Sequence, residues 1–308
     1  DPDGPTSRAH RRLLVRHVAL GPLSKLAAFR LRKPPAPTAI GAARPSSPER
    51  LDDDMVGDDD AGRHLTAELE ANGCEVGGVV VDASRPTTVK RSLVGLAQHR
   101  HPQKMFRLDV ESRRPADDAI VGRLLEAIDA RLDAVDCVCL EDYDKGACTE
   151  PLCRALVQRC RERDLPLLVD PASISDYARY AGATLITPNR TEAERAMDRP
   201  GGLRTDLDAA VDIATGLRSR HDFDAVVLTL DRDGAMLATE DGCIHLPTEA
   251  KSVYDVTGAG DMVLAALAAA WSHGLRGVEG VRLANLAAGI EVELIGAQPV
   301  PLPELRRA

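Results

Sequence analysis

The sequence predicts an α/β protein, a three-layer sandwich with a mostly parallel central sheet covered by helices on both faces and a small β lid. From residue 116 onward, short apolar runs alternate with amphipathic stretches, the pattern of doubly buried strands and singly buried helices. Between residues 76 and 110, β-type runs follow one another without a helix between them, as in a small antiparallel sheet. The chain has 308 residues, of which 44% are hydrophobic, enough to bury one large core without staples.

Taken in order, residues 1–54 stand apart. Residues 1–50 carry ten Lys/Arg against three Asp/Glu, about +7, and hold eight of the twenty prolines. Lys33-Pro-Pro-Ala-Pro37 and Arg44-Pro-Ser-Ser-Pro48 forbid long regular elements. Residues 13–31 have the spacing of an amphipathic helix broken near Pro22, and the segment reads as a poorly ordered arm. A main domain is expected over 55–308.

Residues 60–72 have helical spacing, with Leu65 and Leu69 apolar and Gly73 as the stop. The runs 77–81, 87–94 and 104–110 are assigned to the lid. Then come helix 116–131, strand 135–140, helix 149–163, strand 165–170, short helix 173–179, strand 183–187, helices 190–198 and 206–219, and strand 224–230. A hairpin over 234–246 leads to helices near 258–273 and 279–293. In such sheets ligands sit at the carboxyl ends of the strands, so the chemistry is expected just after each one.

Composition narrows the function. A net charge of −9 and 3% aromatic residues, with Trp271 the single tryptophan, disfavour nucleic-acid binding by a basic face or by base stacking. The seven cysteines form no CxxC pair and have no histidine at zinc spacing, so neither a disulfide framework nor a zinc site is implied. Cys137 and Cys139 lie in an apolar run as small hydrophobes. No stretch approaches the ~18 apolar residues of a membrane span, and no signal-peptide core is visible. A soluble protein of the reducing cytoplasm is expected.

The sharpest chemical signal is Asp255-Val-Thr-Gly-Ala-Gly-Asp261, running directly into an apolar helix. The small residues Gly258, Ala259 and Gly260 let the backbone pass close to a ligand, and amides at a helix N-terminus favour an anion. Asp261 falls in the first turn, where the same dipole keeps its carboxylate ionised and able to accept a hydroxyl proton. A tight turn with Asp261 as a plain helix cap is the alternative reading of these residues.

With its neighbours this loop resembles the ribokinase-like, or PfkB, family of carbohydrate kinases, whose members end in Asp-Thr-x-Gly-Ala-Gly-Asp. The segments Arg85-Pro-Thr-Thr-Val-Lys90, Glu141-Asp-Tyr-Asp-Lys-Gly146, Leu168-Val-Asp-Pro171 and Thr187-Pro-Asn-Arg-Thr-Glu192 occur in family order. They look closest to the branch that phosphorylates D-glycero-β-D-manno-heptose 7-phosphate in lipopolysaccharide-core precursor synthesis. The likeness spans roughly residues 55–305.

The resemblance implies an ATP-dependent sugar kinase using Mg²⁺, with Asp261 as base and the amides of 258–261 as the anion hole. It implies that Asn189, with Arg190 and Thr191 beside it, meets the nucleotide phosphates while Glu192 helps hold Mg²⁺ through water. Asn189 and Glu192 also have the spacing of a capping box, and the two readings are compatible. Thr229 and Gly234 match the phosphate side of the ATP site, although Asp231 stands where relatives often have glycine. Asn285 matches an adenine-side asparagine, with a purely structural role as the alternative. Asp255 is implied in ordering the loop or in a monovalent-cation site.

For the sugar phosphate, Asp142, Tyr143 and Lys145 follow a strand end, while Lys90 and Arg107 lie on the lid as cationic partners, with surface charge as the alternative. Ala172 replaces a lysine usual in the branch. A small-molecule substrate is implied, with neither nucleic acid nor membrane as a partner; dimerisation through the lids is common among relatives, and the sequence leaves a homodimer open.

Relatives begin with a Gly-Asp strand and a Gly-Gly-Ala-x-Asn helix start that touch the sugar, and residues 1–54 contain neither. A divergent segment, a displaced start and an upstream frame disturbance remain open. The composition break favours the last two, and with them a second expectation, a nucleotide-binding protein that phosphorylates sugar poorly. Another sugar or nucleoside kinase of the same family is the remaining alternative. The end at Ala308 is read as a kinase-only form.

Overall fold

Alternation of apolar side chains along the strands sets the layers. In a computed structural model, residues 25–30, 49–95, 103–199, 206–248, 258–293, 300 and 302–305 are described. The strands are β1 (Lys25–Arg30), β2 (Glu49–Val56), β3 (Cys74–Glu75), β4 (Val80–Val81), β5 (Val89–Gly95), β6 (Gln103–Val110), β7 (Cys137–Glu141), β8 (Leu167–Asp170), β9 (Leu185–Ile186), β10 (Ala225–Thr229), β11 (Ala235–Thr239) and β12 (Gly242–Leu246). The helices are α1 (Asp60–Ala71), α2 (Asp118–Asp129), α3 (Glu150–Glu162), α4 (Arg190–Ala196), α5 (Leu207–His221), α6 (Ala259–Ser272), α7 (Val278–Glu291) and α8 (Leu302–Leu305).

The central sheet runs β12-β11-β10-β9-β8-β7-β1-β2-β3, with β4 also paired to β2. Strands β7 to β10 are mutually parallel, and β3 and β4 are parallel to β2. On one face Val138, Leu140, Leu167, Val169, Val226 and Leu228 pack with Leu156, Ile213 and Leu217 of α3 and α5. On the other, Cys137, Cys139, Leu168, Leu185, Ala225 and Val227 pack with Leu264, Leu267 and Trp271 of α6 and Val281 of α7. Period-two side-chain alternation is what allows two helical layers to share one sheet. Among the described residues, no helix is long and apolar enough to cross a membrane.

The structure corrects the sequence expectation in three places. The run 77–81 was expected in the lid, but Val80 and Val81 pair in parallel with Met55 and Val56 in the central sheet. Val80 is buried there in a cluster with Met55, Ile120, Val121 and Leu124, which an isolated ribbon could not offer. The separate two-stranded sheet consists of β5 and β6 alone.

Secondly, residues 25–30, expected in a helix, form β1, antiparallel to both β7 and β2. Hydrogen-bonding partners on both edges outweigh a weak helical periodicity, because β7 would otherwise leave a row of backbone groups unpaired. The division expected at residue 55 therefore falls inside β2, and residues 1–24 and 31–48 lie outside the described residues. Thirdly, the short helix expected over 173–179 is a single 3₁₀ turn, Ala178–Tyr180, with Tyr177 and Tyr180 fully buried.

Candidate active site

The parallel strands end together, and their last residues line up across the sheet. Register places Glu141 of β7 beside Asp170 of β8 and also beside Lys25 of β1, which is in turn opposite Asp54 of β2. A row of acids thus marks the carboxyl edge, the position where open α/β sheets bind ligands.

The N-terminus of α6 faces this edge. Helices α1 to α5 each begin on a side-chain cap from Asp59, Asp117, Thr149, Asn189 and Asp206. α6 begins instead on Gly258, in the left-handed conformation with φ 98° and without a side-chain cap. That φ suits glycine, and no capping side chain of its own covers the first amides of the helix. Asp261 stands in this first turn. A side chain added to Gly260 would begin 3.6 Å from Asp170 Oδ2, so the turn lies directly over that acid. The Tyr143 hydroxyl, from the loop after β7, donates to Asp261 Oδ1.

Electrostatics follow from this crowding. Burial pushes the Asp170 carboxyl well up, with Glu192 and Asp261 adding to it, against a 3.1 Å hydrogen bond from Thr187 Oγ1. Burial raises Glu192 too, opposed by its bonds to Asn189. The Tyr143 phenol is pushed up by burial and then by Glu141 and Asp261, so it remains a proton donor.

At the start of α4, Asn189 and Glu192 form both bonds of a capping box: Asn189 N–H donates to Glu192 Oε2 at 2.9 Å, and Glu192 N–H donates to Asn189 Oδ1 at 3.0 Å. Asn189 also makes a parallel bridge with Thr229 at the end of β10. Arg190 turns to the loop after β10, donating to Leu230 O at 2.9 Å and pairing with Asp231 and Asp233. Thr191 is exposed in the first turn of α4. Gly234, with φ 88°, lets that loop close on the hairpin, since a side chain there would strike Leu246 O and come within 2.6 Å of Thr248 N. Asn285 Nδ2 donates to Leu246 O at 2.9 Å, tying α7 to the same hairpin end. Asp255 lies outside the described residues.

On the other side, Lys90 of β5 sits over the Tyr143 ring, 5.6 Å from its centroid. Burial lowers the Lys90 ammonium pKa, and Lys145 and Arg107 lower it further, which puts three cations in one field. Lys145 Nζ is 2.8 Å from Glu111 Oε1. Arg107 is paired with Asp109 on the exposed ribbon. Asp142 is buried as a brace, accepting from Tyr180 Oη at 2.6 Å and from Asp144 N–H at 2.8 Å, and burial raises its pKa.

The structure therefore brings Gly258, Ala259, Gly260 and Asp261 to the carboxyl edge, and gathers Lys90, Lys145 and Arg107 in a common field. Sequence reasoning set Tyr143 beside the sugar, not at Asp261, whose Oδ1 its hydroxyl meets, and assigned no role to Asp170. The available signal was an acid or phenol within two residues of a strand end.

A model of the pfkB family carbohydrate kinases matches residues 54–305. Two curated relatives, both named bifunctional protein HldE, come from Helicobacter hepaticus and Paramagnetospirillum magneticum. The first is 37% identical over 243 residues, covering 79% of this chain and 48% of the relative. The second is 41% identical over 244 residues, with the same coverage of 79% and 48%. The chain spans about half the length of these relatives. Among solved structures, Escherichia coli phosphofructokinase-2 in complex with potassium matches at TM-score 0.66 and 14% identity, over 92% of this chain and 96% of that one. Thermotoga maritima ribokinase matches at TM-score 0.59 and 20% identity, over 83% and 79%. With a family match across most of its length and the ribokinase-like architecture, the chain belongs to the pfkB family of carbohydrate kinases.

Proposed function

We propose that the chain transfers the γ-phosphoryl group of ATP to O1 of D-glycero-β-D-manno-heptose 7-phosphate, giving the 1,7-bisphosphate. The carrying observation is the α6 N-terminus, opened by Gly258 without a side-chain cap, set over Asp170 with Asp261 in its first turn. Asp261 takes the proton of the attacking hydroxyl, and the 258–261 amides meet the charge that develops on the migrating group. Asn189, Arg190, Thr191, Thr229 and Gly234 shape the nucleotide side, while Asn285 holds the hairpin end against α7. Lys90, Lys145 and Arg107 suit a substrate carrying its own phosphate.

The acids fit a divalent cation. Glu192 is partly exposed, and burial raises its carboxyl, a cost that a bound cation would offset. Among the described residues no three His, Cys, Asp or Glu side chains converge on one point, so Glu192 would hold Mg²⁺ together with water and nucleotide oxygens. When bound, Mg²⁺ neutralises charge on the phosphates.

A cytoplasmic setting, where ATP is available, goes with this reading. So does a homodimer through the ribbon, whose Met105 and Phe106 are 70% and 59% exposed; sedimentation of Phe106→Asp against wild type tests it. Weak turnover by a nucleotide-binding protein is favoured by one observation, that β1 beside β7 carries neither Gly-Asp nor Gly-Gly-Ala-x-Asn. An ADP-release assay over a panel of sugars, sugar phosphates and nucleosides tests the assignment. The heptose phosphate should give the highest kcat/KM. ATP–Mg²⁺ binding without turnover of any panel member selects the second reading.

A further inference from the structure

Asp261 shares a field with Asp170 at the end of β8, on which Glu192 of α4 and Asp142 after β7 also act. Glu141 at the end of β7 joins Asp261 and Asp170 in the field of Tyr143, and Lys145 of the loop after β7 shares that of Lys90 on β5. Carboxylates in one field raise one another's pKa, and a base that picks up a proton at working pH is lost to catalysis. Tyr143 presents a hydroxyl donor at Asp261 itself, bridging 118 residues of sequence. Its ring is under Lys90, 5.6 Å from the ammonium.

We infer that Tyr143 is a positioning residue for Asp261: its hydroxyl holds the carboxylate ionised and fixes its orientation, and the lid strand β5 seats the ring through Lys90. Donation to a carboxylate favours the charged form and restricts its rotation. Burial and the neighbouring acids keep the phenol protonated, so the donor persists across the working range. A cation over the ring face adds a modest attraction, which links seating of the lid to the base. The inference rests on the reading of Asp261 as the base.

The test is Tyr143→Phe, which keeps the ring under Lys90 and removes only the hydroxyl. Titration of ¹³Cγ-aspartate signals, with Asp261 assigned through Asp261→Asn, reads the carboxylate directly and needs no turnover. The Asp261 pKa should rise by about one unit, the size expected for losing one hydrogen bond to a charged group. The acid limb of kcat for the heptose phosphate should move to higher pH by the same amount, with KM for ATP little changed. A merely structural role would lower kcat at every pH and leave the limb in place.

An unchanged Asp261 titration overturns the inference. A shifted titration with full turnover in Asp261→Asn would leave the bond real and remove the base assignment, so the two failures are distinguishable. Should Tyr143→Phe not fold, 3-fluorotyrosine at position 143 replaces it. Its more acidic phenol donates more strongly, so the Asp261 pKa should fall, and a rise or no change overturns the inference.

Discussion

Asp170 Oδ2 lies 3.6 Å from the point where a side chain on Gly260 would begin, so the amide turn of α6 and the acid at the end of β8 are separated by the width of one methyl group. That distance is ordinary van der Waals contact, and the φ of Gly260 is not in the left-handed region. Gly260→Ala is therefore expected to fold with stability within about 1 kcal/mol of wild type. In the proposed reaction the added methyl would stand beside the migrating phosphoryl group, and turnover should fall by roughly tenfold or more. Urea unfolding together with the ADP-release assay checks both halves.

Burial raises the Asp170 carboxyl above its unfolded value, with Glu192 and Asp261 contributing. A carboxyl whose folded pKa is raised binds its proton more tightly in the fold. The penalty is therefore absent below the unfolded pKa near 4 and grows as pH rises through the folded value. Asp170→Asn removes it. Its melting temperature should exceed that of wild type by about 2–4 °C at neutral pH, the response to roughly 1 kcal/mol in a chain of this size. The gap should close as pH falls toward 4. Melts recorded across that range decide it, and a gap independent of pH would contradict the assignment.

Asp82 and Arg85 form a buried ion pair of 2.7 Å where the chain leaves β4 for the lid, and Arg85 Nη1 donates to Lys145 O at 3.1 Å. Burial works against the Asp82 carboxylate, but Ser84 and Arg85 hold it down at about 2. Its contribution is fully present above the unfolded pKa near 4 and is lost as pH falls toward 2. Asp82→Asn strands the Arg85 charge. It should cost about 3 kcal/mol at neutral pH, as expected when one partner of a buried pair is removed. Urea midpoints at pH 7 and pH 3 read the loss and its decline.

Gly234 closes the loop after β10 against the hairpin end that Asn285 holds. Gly234→Ala combines an unfavourable positive φ with a backbone clash. It should cost about 2–3 kcal/mol and weaken ATP binding. Asn285→Ala removes only one hydrogen bond and should cost about 1 kcal/mol. Calorimetry with ATP and urea unfolding rank the two.

The stretch from β7 to β10 was legible because each strand is a continuous apolar run and each intervening helix has its own polar face. The α6 turn was legible because glycines directly before an apolar helix have few other uses. The pairing of β3 and β4 was obscure, since two-residue strands carry no period and only their neighbours define them. β1 was obscured by the Arg/Pro-rich composition around it. The contacts of Asp261 with Tyr143 and of Gly260 with Asp170 depend on strand register, which brings distant strand ends to one edge and leaves no local trace. Asn189 and Glu192 show the reverse case: their capping-box spacing was plain in the sequence, and both bonds are present.

In the proposed reaction the carboxylate at the start of α6 activates the acceptor hydroxyl. Asp261→Asn keeps the shape of the side chain and removes its capacity as a base. Turnover and ATP–Mg²⁺ binding should be measured on one preparation of this variant. With Asp261 as the base, kcat should fall by about 10²–10⁴ while the Kd for ATP–Mg²⁺ stays within about twofold of wild type. Turnover close to that of wild type would contradict that role.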